Sequence, residues 1–149
     1  MGFERNKSPI EILLIEDNPG DIRLTIEIFK ESKFDNILNI AEDGIEAINF
    51  LSKKGKFKDK HLPDIIILDL NLPKKHGREV LAEIKEDELF KHIPVIIFTT
   101  SQAETDIFKC YELHANCYIS KPLNMIKFVK IVKSVENFWF SIVKLPSHN

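Results

Sequence analysis

Much that would announce a function is missing from this chain. Of its 149 residues only two are cysteine, Cys110 and Cys117, and they show no metal-ligand spacing. Small buried or half-buried hydrophobes in a reducing compartment are the expectation for both, and a disulfide is not. The formal net charge of −2 removes any global electrostatic reason to expect nucleic acid or an anionic membrane as partner. No apolar run is long enough to span a bilayer. The opening MGFERNKSP has no apolar stretch of the signal-peptide kind, so the sequence predicts a cytoplasmic protein. Familiar catalytic signatures are absent too. There is no Ser-His-Asp arrangement, no HExxH and no glycine-rich phosphate cradle, and the five histidines are scattered without a plausible metal-ligating neighbour.

What is present fits one ordinary domain with a real core, 44% hydrophobic and 30% charged. Its most informative stretch is Pro63–Pro73, PDIIILDLNLP. Four consecutive apolar residues bounded by proline read as a strand buried on both faces, as in a parallel sheet. The run then delivers a carboxylate, Asp69. A buried carboxylate is costly without a partner. Asp69 therefore either ends the strand by starting a turn or stands at the strand's carboxyl end, where α/β sheets open into a ligand crevice.

The rest of the chain alternates. Glu11–Ile15 is an apolar run ending in Glu16, Asp17 and Asn18. Pro19 suits a first helical turn, and Ile22, Ile26 and Phe29 carry the helix to about Ser32. Ile37–Ala41 is a second strand, and Ile45, Ile48 and Leu51 mark a short helix. Lys53–Pro63 is basic and polar, a solvated loop or helix extension. After the central strand, Gly77 leads a helix through Val80, Leu81 and Ile84, and Pro94–Phe98 is a fourth strand ending in Thr99, Thr100 and Ser101. Ser101 to Glu104 matches a capping box for a fourth helix. Tyr118-Ile119 is a fifth strand, followed by Lys121 and Pro122. Asn124 caps a last helix carrying Phe128, Phe138 and Trp139. Five strands alternating with five helices argue for a parallel sheet covered on both faces, joined by right-handed crossovers.

The predicted carboxyl ends carry a coherent set: Glu16 and Asp17, Asp69 with Asn71 two residues on, Thr99, and Lys121. Crowded carboxylates raise one another's pKa. A hard divalent cation with oxygen ligands removes that cost, and Mg²⁺ (or Mn²⁺) suits a few carboxylates plus water and phosphate. The chemistry this fits is capture of a phosphoryl group, with Asp69 as nucleophile forming an aspartyl phosphate. The metal would be held by Asp17, Asp69 and the backbone carbonyl of Asn71, with Glu16 reaching it through water. Thr99 and Lys121 would take other phosphoryl oxygens, because such transfer is mainly positioning and charge neutralisation.

The acidic pair, LDLNLP around Asp69, IIFTTS around Thr99 and YISKP around Lys121 together resemble the receiver domain of two-component response regulators. On that resemblance residues 10–143 would form the receiver domain, between a flexible segment 1–9 and a tail 144–149. It implies a flavodoxin-like α/β fold, with five parallel strands in order 2-1-3-4-5 flanked by five helices, and phosphotransfer onto Asp69 from a sensor histidine kinase. It also implies a switch in which Thr99 is drawn to the phosphate and Tyr118 moves inward behind it. NLPKKHGREVLAEIK, the basic insertion, TTSQAETDI and FWFSIVKLP are similar to small stand-alone regulators of phytochrome-type histidine kinases.

Departures from the family pattern are Glu16 in place of Asp, His76 before Gly77, and His114 where glycine often follows the fourth helix. Surplus apolar surface on the last helix predicts a homodimer through the face made by the fourth helix, fifth strand and fifth helix. Phe108, Phe128 and Trp139 are expected to pack in the core or the dimer. The alternatives are an Asp-nucleophile phosphohydrolase and a relay or phosphate-sink protein without its own output. Asn71 argues against the hydrolase, because an amide cannot serve as the general acid such enzymes place two residues after the nucleophile.

Overall fold

The structure is a computed structural model and describes residues 9–32, 34–100 and 104–121, with Lys130, Lys133, Ser134 and Asn137 beyond them. Strands and helices alternate: β1 (Ile10–Ile15), α1 (Pro19–Lys30), β2 (Asn36–Ala41), α2 (Gly44–Leu51), β3 (Ile65–Leu68), α3 (Gly77–Glu86), β4 (Val95–Thr99), α4 (Glu104–Glu112) and β5 (Cys117–Ser120). A single 3-10 turn, Gly55–Phe57, lies between α2 and β3. The strands form one sheet in the order β2-β1-β3-β4-β5, every pairing parallel, as expected. The fifth helix falls outside the described residues except for four helical positions, Lys130, Lys133, Ser134 and Asn137. The capping box at Ser101 also begins outside them.

The pleat explains why the central strands read as unbroken apolar runs. Leu13, Ile15, Ile66, Leu68, Val95 and Ile97 face one core, shared with Ala47, Leu51, Val80, Leu81, Ile84 and Cys110 of α2, α3 and α4. Their neighbours Ile12, Leu14, Ile65, Ile67, Ile96 and Phe98 face a second core with Ile28 and Phe29 of α1. A strand with helices on both sides has no polar face, so alternation is lost. Each fully buried Ile or Leu contributes about 1.5–3 kcal/mol by leaving water.

Local chemistry sets the helix starts. The Asn18 side chain accepts the Asp21 N–H at 2.9 Å, with Pro19 at the first turn of α1. Asp43 does the same for α2 through the Glu46 N–H at 2.7 Å. His76 opens α3: its Nδ1 accepts the Arg78 N–H at 3.1 Å, and Glu79 accepts the His76 N–H at 3.0 Å. After α4, His114 adopts φ +71, the left-handed conformation in which glycine would be at ease.

Two expectations are refined. The basic segment after α2 is solvated at every lysine, yet it is anchored. Phe57 turns inward and packs its ring against Phe50 at a centroid distance of 5.3 Å. Phe108 does not join the core; it is 63% exposed on α4, beside Tyr111 at 50%.

Candidate functional site

The site is assembled by the sheet itself. Past the formal strand ends the ladder continues for one more bond. Glu16 N–H donates to the Ala41 carbonyl (3.0 Å), Asp69 N–H to Ile15 (3.0 Å) and Lys121 N–H to Thr99 (2.7 Å). These bonds hold Glu16, Asp69 and Lys121 level with Thr99 along the carboxyl edge, where an open α/β sheet binds its ligands. The turn after β3 is equally fixed. Gly77 N–H donates to the Leu70 carbonyl at 2.9 Å, and a Cβ on Gly77 would land on the Asp69 carbonyl and Leu70 Cα. Only glycine lets α3 start this close to the acidic strand end.

Asp69 is buried at 6% exposure and fully engaged. It accepts the Asn71 N–H at 3.2 Å, the Lys121 ammonium at 3.3 Å and a hydrogen bond from the Thr99 side chain. Thr99 is itself fully buried. The outward side chain of Asn71 donates to the Thr100 hydroxyl at 3.3 Å. Burial alone would push the Asp69 carboxyl up, but Thr99, Lys121, Glu16 and the Asn71 N–H more than offset it, so Asp69 is held below the usual aspartate value.

Glu16 goes the other way. Burial, then the charge of Asp69, push its carboxyl up to about 7 against the pull of Lys121. Its two oxygens are both used: one meets Lys121 Nζ at 2.5 Å and the other accepts the Asn18 N–H at 3.1 Å. Glu16 thus makes a direct ion pair with Lys121, a contact that the water-mediated role read from sequence did not include. Lys121 is raised above the usual lysine value; burial works against its charge, and the bonds to Asp21 and Glu16 outweigh it.

Asp17 stands further toward solvent. One oxygen each from Glu16, Asp17 and Asp69 lie within 4.8 Å of one another, the grouping of the described residues that could hold a metal ion. An all-oxygen donor set of this size, with the Glu16 carboxyl already driven toward protonation by burial and by the charge of Asp69, fits a hard divalent cation.

Tyr118 is half-buried in β5, packs against the core, and donates its N–H to the Tyr111 hydroxyl at 3.2 Å. The structure thus brings Glu16, Asp17, Asp69, Thr99 and Lys121 together, whereas the contacts of Tyr118 are with Tyr111 and the core. One site residue was missed. Asp21, in the first turn of α1, meets Lys121 Nζ at 2.7 Å. In the sequence it reads as the ordinary acidic residue of a first helical turn. Its position one turn after the acidic pair is the signal that was available.

Comparison with known proteins agrees with this geometry. Residues 12–133 match the response regulator receiver domain family. The chain is 46% identical over 144 residues to the response regulator Rcp1 of Synechocystis sp., covering 97% of this chain and 98% of that protein. It is 33% identical over 140 residues to a probable methanogenesis regulatory protein, FilR2, of Methanothrix harundinacea, covering 94% and 90%. Among solved structures, the phosphorylated cyanobacterial phytochrome response regulator RcpA superposes with a TM-score of 0.91 at 48% identity, covering 94% of this chain and all of that one. The Mn²⁺-bound form of Rcp1 gives 0.90 at 47% identity, covering 93% and all of its chain.

Proposed function

The chain belongs to the response regulator receiver domain family, and on that footing we propose that Asp69 is the carboxylate that takes the phosphoryl group. The observation that carries this is the environment of Asp69. It is a buried carboxylate held ionised at the end of β3, in contact with both Thr99 and Lys121. An oxygen of Asp69 attacks the phosphorus. The bond from phosphorus to the donor nitrogen breaks, and the imidazole of the kinase's phosphohistidine departs with the electron pair. The product is an acyl phosphate on Asp69. Lys121 neutralises one phosphoryl oxygen and the Thr99 hydroxyl donates to another, turning from the Asp69 carboxylate that it bonds at rest.

Asp17, Asp69 and the backbone carbonyl of Asn71 would hold Mg²⁺ or Mn²⁺, with Glu16 one water away. When bound, the ion neutralises charge on the transferring group. Tyr118 is the aromatic that follows Thr99, carrying the change to the face of α4 and β5. Exposed Phe108 and Tyr111 on that face support its use by a second copy of the chain. The aromatic residues expected to complete that interface, Phe128, Phe138 and Trp139, lie outside the described residues. Sedimentation of wild type and Trp139→Ala, with and without phosphorylation, tests it; a monomer throughout overturns it.

Family membership implies a sensor histidine kinase as partner, and similarity to the phytochrome response regulator RcpA supports one of the phytochrome type. A cytoplasmic location without membrane or nucleic-acid contact suits this role; no helix among the described residues is long and apolar enough to cross a membrane. External phosphomonoesters are not turned over, because the Asn71 amide is too weak an acid to protonate a leaving group. Acetyl phosphate with Mg²⁺ tests the assignment. One phosphoryl mass should appear on wild type and none on Asp69→Asn. A label that persists in the variant overturns it, and sustained phosphate release from unrelated esters would favour a hydrolase.

A further inference from the structure

Lys121 has three N–H groups, and the resting structure commits all three to carboxylates. The distances from Nζ are 2.5 Å to Glu16, 2.7 Å to Asp21 and 3.3 Å to Asp69. The ammonium thus sits closer to Glu16 and Asp21 than to the proposed acceptor. Asp21 is delivered by a rigid turn. Its N–H donates to the Asn18 side chain at 2.9 Å, and its carbonyl accepts the Thr25 hydroxyl at 2.7 Å. Its oxygens are not part of the three-acid grouping that could hold a metal. Its side chain is 29% exposed, against 4% for Lys121 and 7% for Asp69, so it stands on the solvent side of the ammonium.

We propose that Asp21 is a positioning residue that draws the Lys121 ammonium toward α1 and competes for it with the phosphoryl group on Asp69. This rests on Asp69 as acceptor. An incoming phosphoryl oxygen finds no unused N–H on Lys121; the longest bond, 3.3 Å to Asp69, gives way as that carboxylate is esterified, and closing the ammonium fully onto the phosphoryl group must then draw it from Glu16 or Asp21. Glu16 is buried and would be left with an unpaired oxygen, a costly outcome. Asp21 can turn to water. It is therefore the exchangeable partner, and its carboxylate opposes phosphoryl binding while stabilising the resting state.

Labelling of the full chain by acetyl phosphate with Mg²⁺, followed by intact mass over a range of donor concentrations, reads this directly. Removing a competing charge-assisted bond in Asp21→Asn or Asp21→Ala should lower the half-saturating donor concentration roughly tenfold, with little change in the maximal rate. Asp21→Glu, which restores a carboxylate, should return it toward wild type. The unphosphorylated Asp21→Asn protein should melt lower than wild type. A half-saturating concentration that stays unchanged or rises in both neutral variants, while Asp69 is still labelled, overturns the role of Asp21. Absence of any label on wild type, or a label surviving Asp69→Asn, would instead overturn the acceptor assignment beneath it.

Discussion

In chelator, the stability of this protein should fall as pH rises from the ordinary glutamate range toward neutrality, and Glu16 is the reason. Its carboxyl stands at 4.5 when unperturbed and at about 7 in the fold, raised by burial and then by the charge of Asp69. Between those values the folded protein holds a proton that the unfolded chain has released. More protons are bound in the native state, so the free energy of unfolding declines with rising pH. At about 1.4 kcal/mol for each pH unit of difference, the loss amounts to about 3 kcal/mol once pH passes the folded value. Urea denaturation of the metal-free protein at about pH 5 and at about pH 8 measures it. Glu16→Gln keeps the shape and removes the titration, so the difference in slope between the two proteins isolates Glu16 from every other group. A divalent cation bound at the three acids should restore stability at the upper pH, because binding to the folded state alone stabilises it. Equal slopes in wild type and Glu16→Gln would show that Glu16 is not the group responsible.

Other consequences follow from particular contacts. Gly77→Ala places a Cβ against the backbone of Asp69 and Leu70, so it should cost about 2 kcal/mol or more and slow labelling at Asp69, read by urea denaturation and intact mass together. Asp43→Ala removes the α2 cap and should cost about 1 kcal/mol, with Asp43→Asn losing less. Burial pushes the Asp43 carboxyl up, but the Glu46 N–H and Lys74 hold it lower than usual. Its contribution is present above the ordinary aspartate value and disappears as pH falls through the lower folded value, so the gap between wild type and Asp43→Ala should close in acid. Phe57→Ala should cost about 3 kcal/mol by emptying the contact with Phe50, although its neighbours in the loop are exposed lysines.

The sheet was legible because burial on both faces leaves a strong mark. Runs such as IIIL and VIIF have nowhere to go but the middle of a parallel sheet. The same rule put Glu16, Asp69, Thr99 and Lys121 at one edge before any contact was known. The wiring among them was not legible. Lys121 meets Asp21 and Glu16 across 100 and 105 residues of chain, and no local pattern encodes which of several carboxylates an ammonium will reach. Phe57 was hidden for a different reason. Its neighbours are lysines, and a single apolar residue in a basic loop carries no periodicity to show that it turns inward. Phe108 shows the converse: a large aromatic on an amphipathic helix can face outward, and composition alone does not tell which side it takes.

Transfer of a phosphoryl group from a histidine kinase onto Asp69 is the step on which everything else here depends. Its most direct test starts from a purified phytochrome-type histidine kinase, radiolabelled by autophosphorylation, mixed with this chain and Mg²⁺. Label should leave the kinase, appear on wild type as a base-labile acyl phosphate, and stay on the kinase when Asp69→Asn is supplied instead. Equal transfer to wild type and Asp69→Asn would contradict Asp69 as the acceptor.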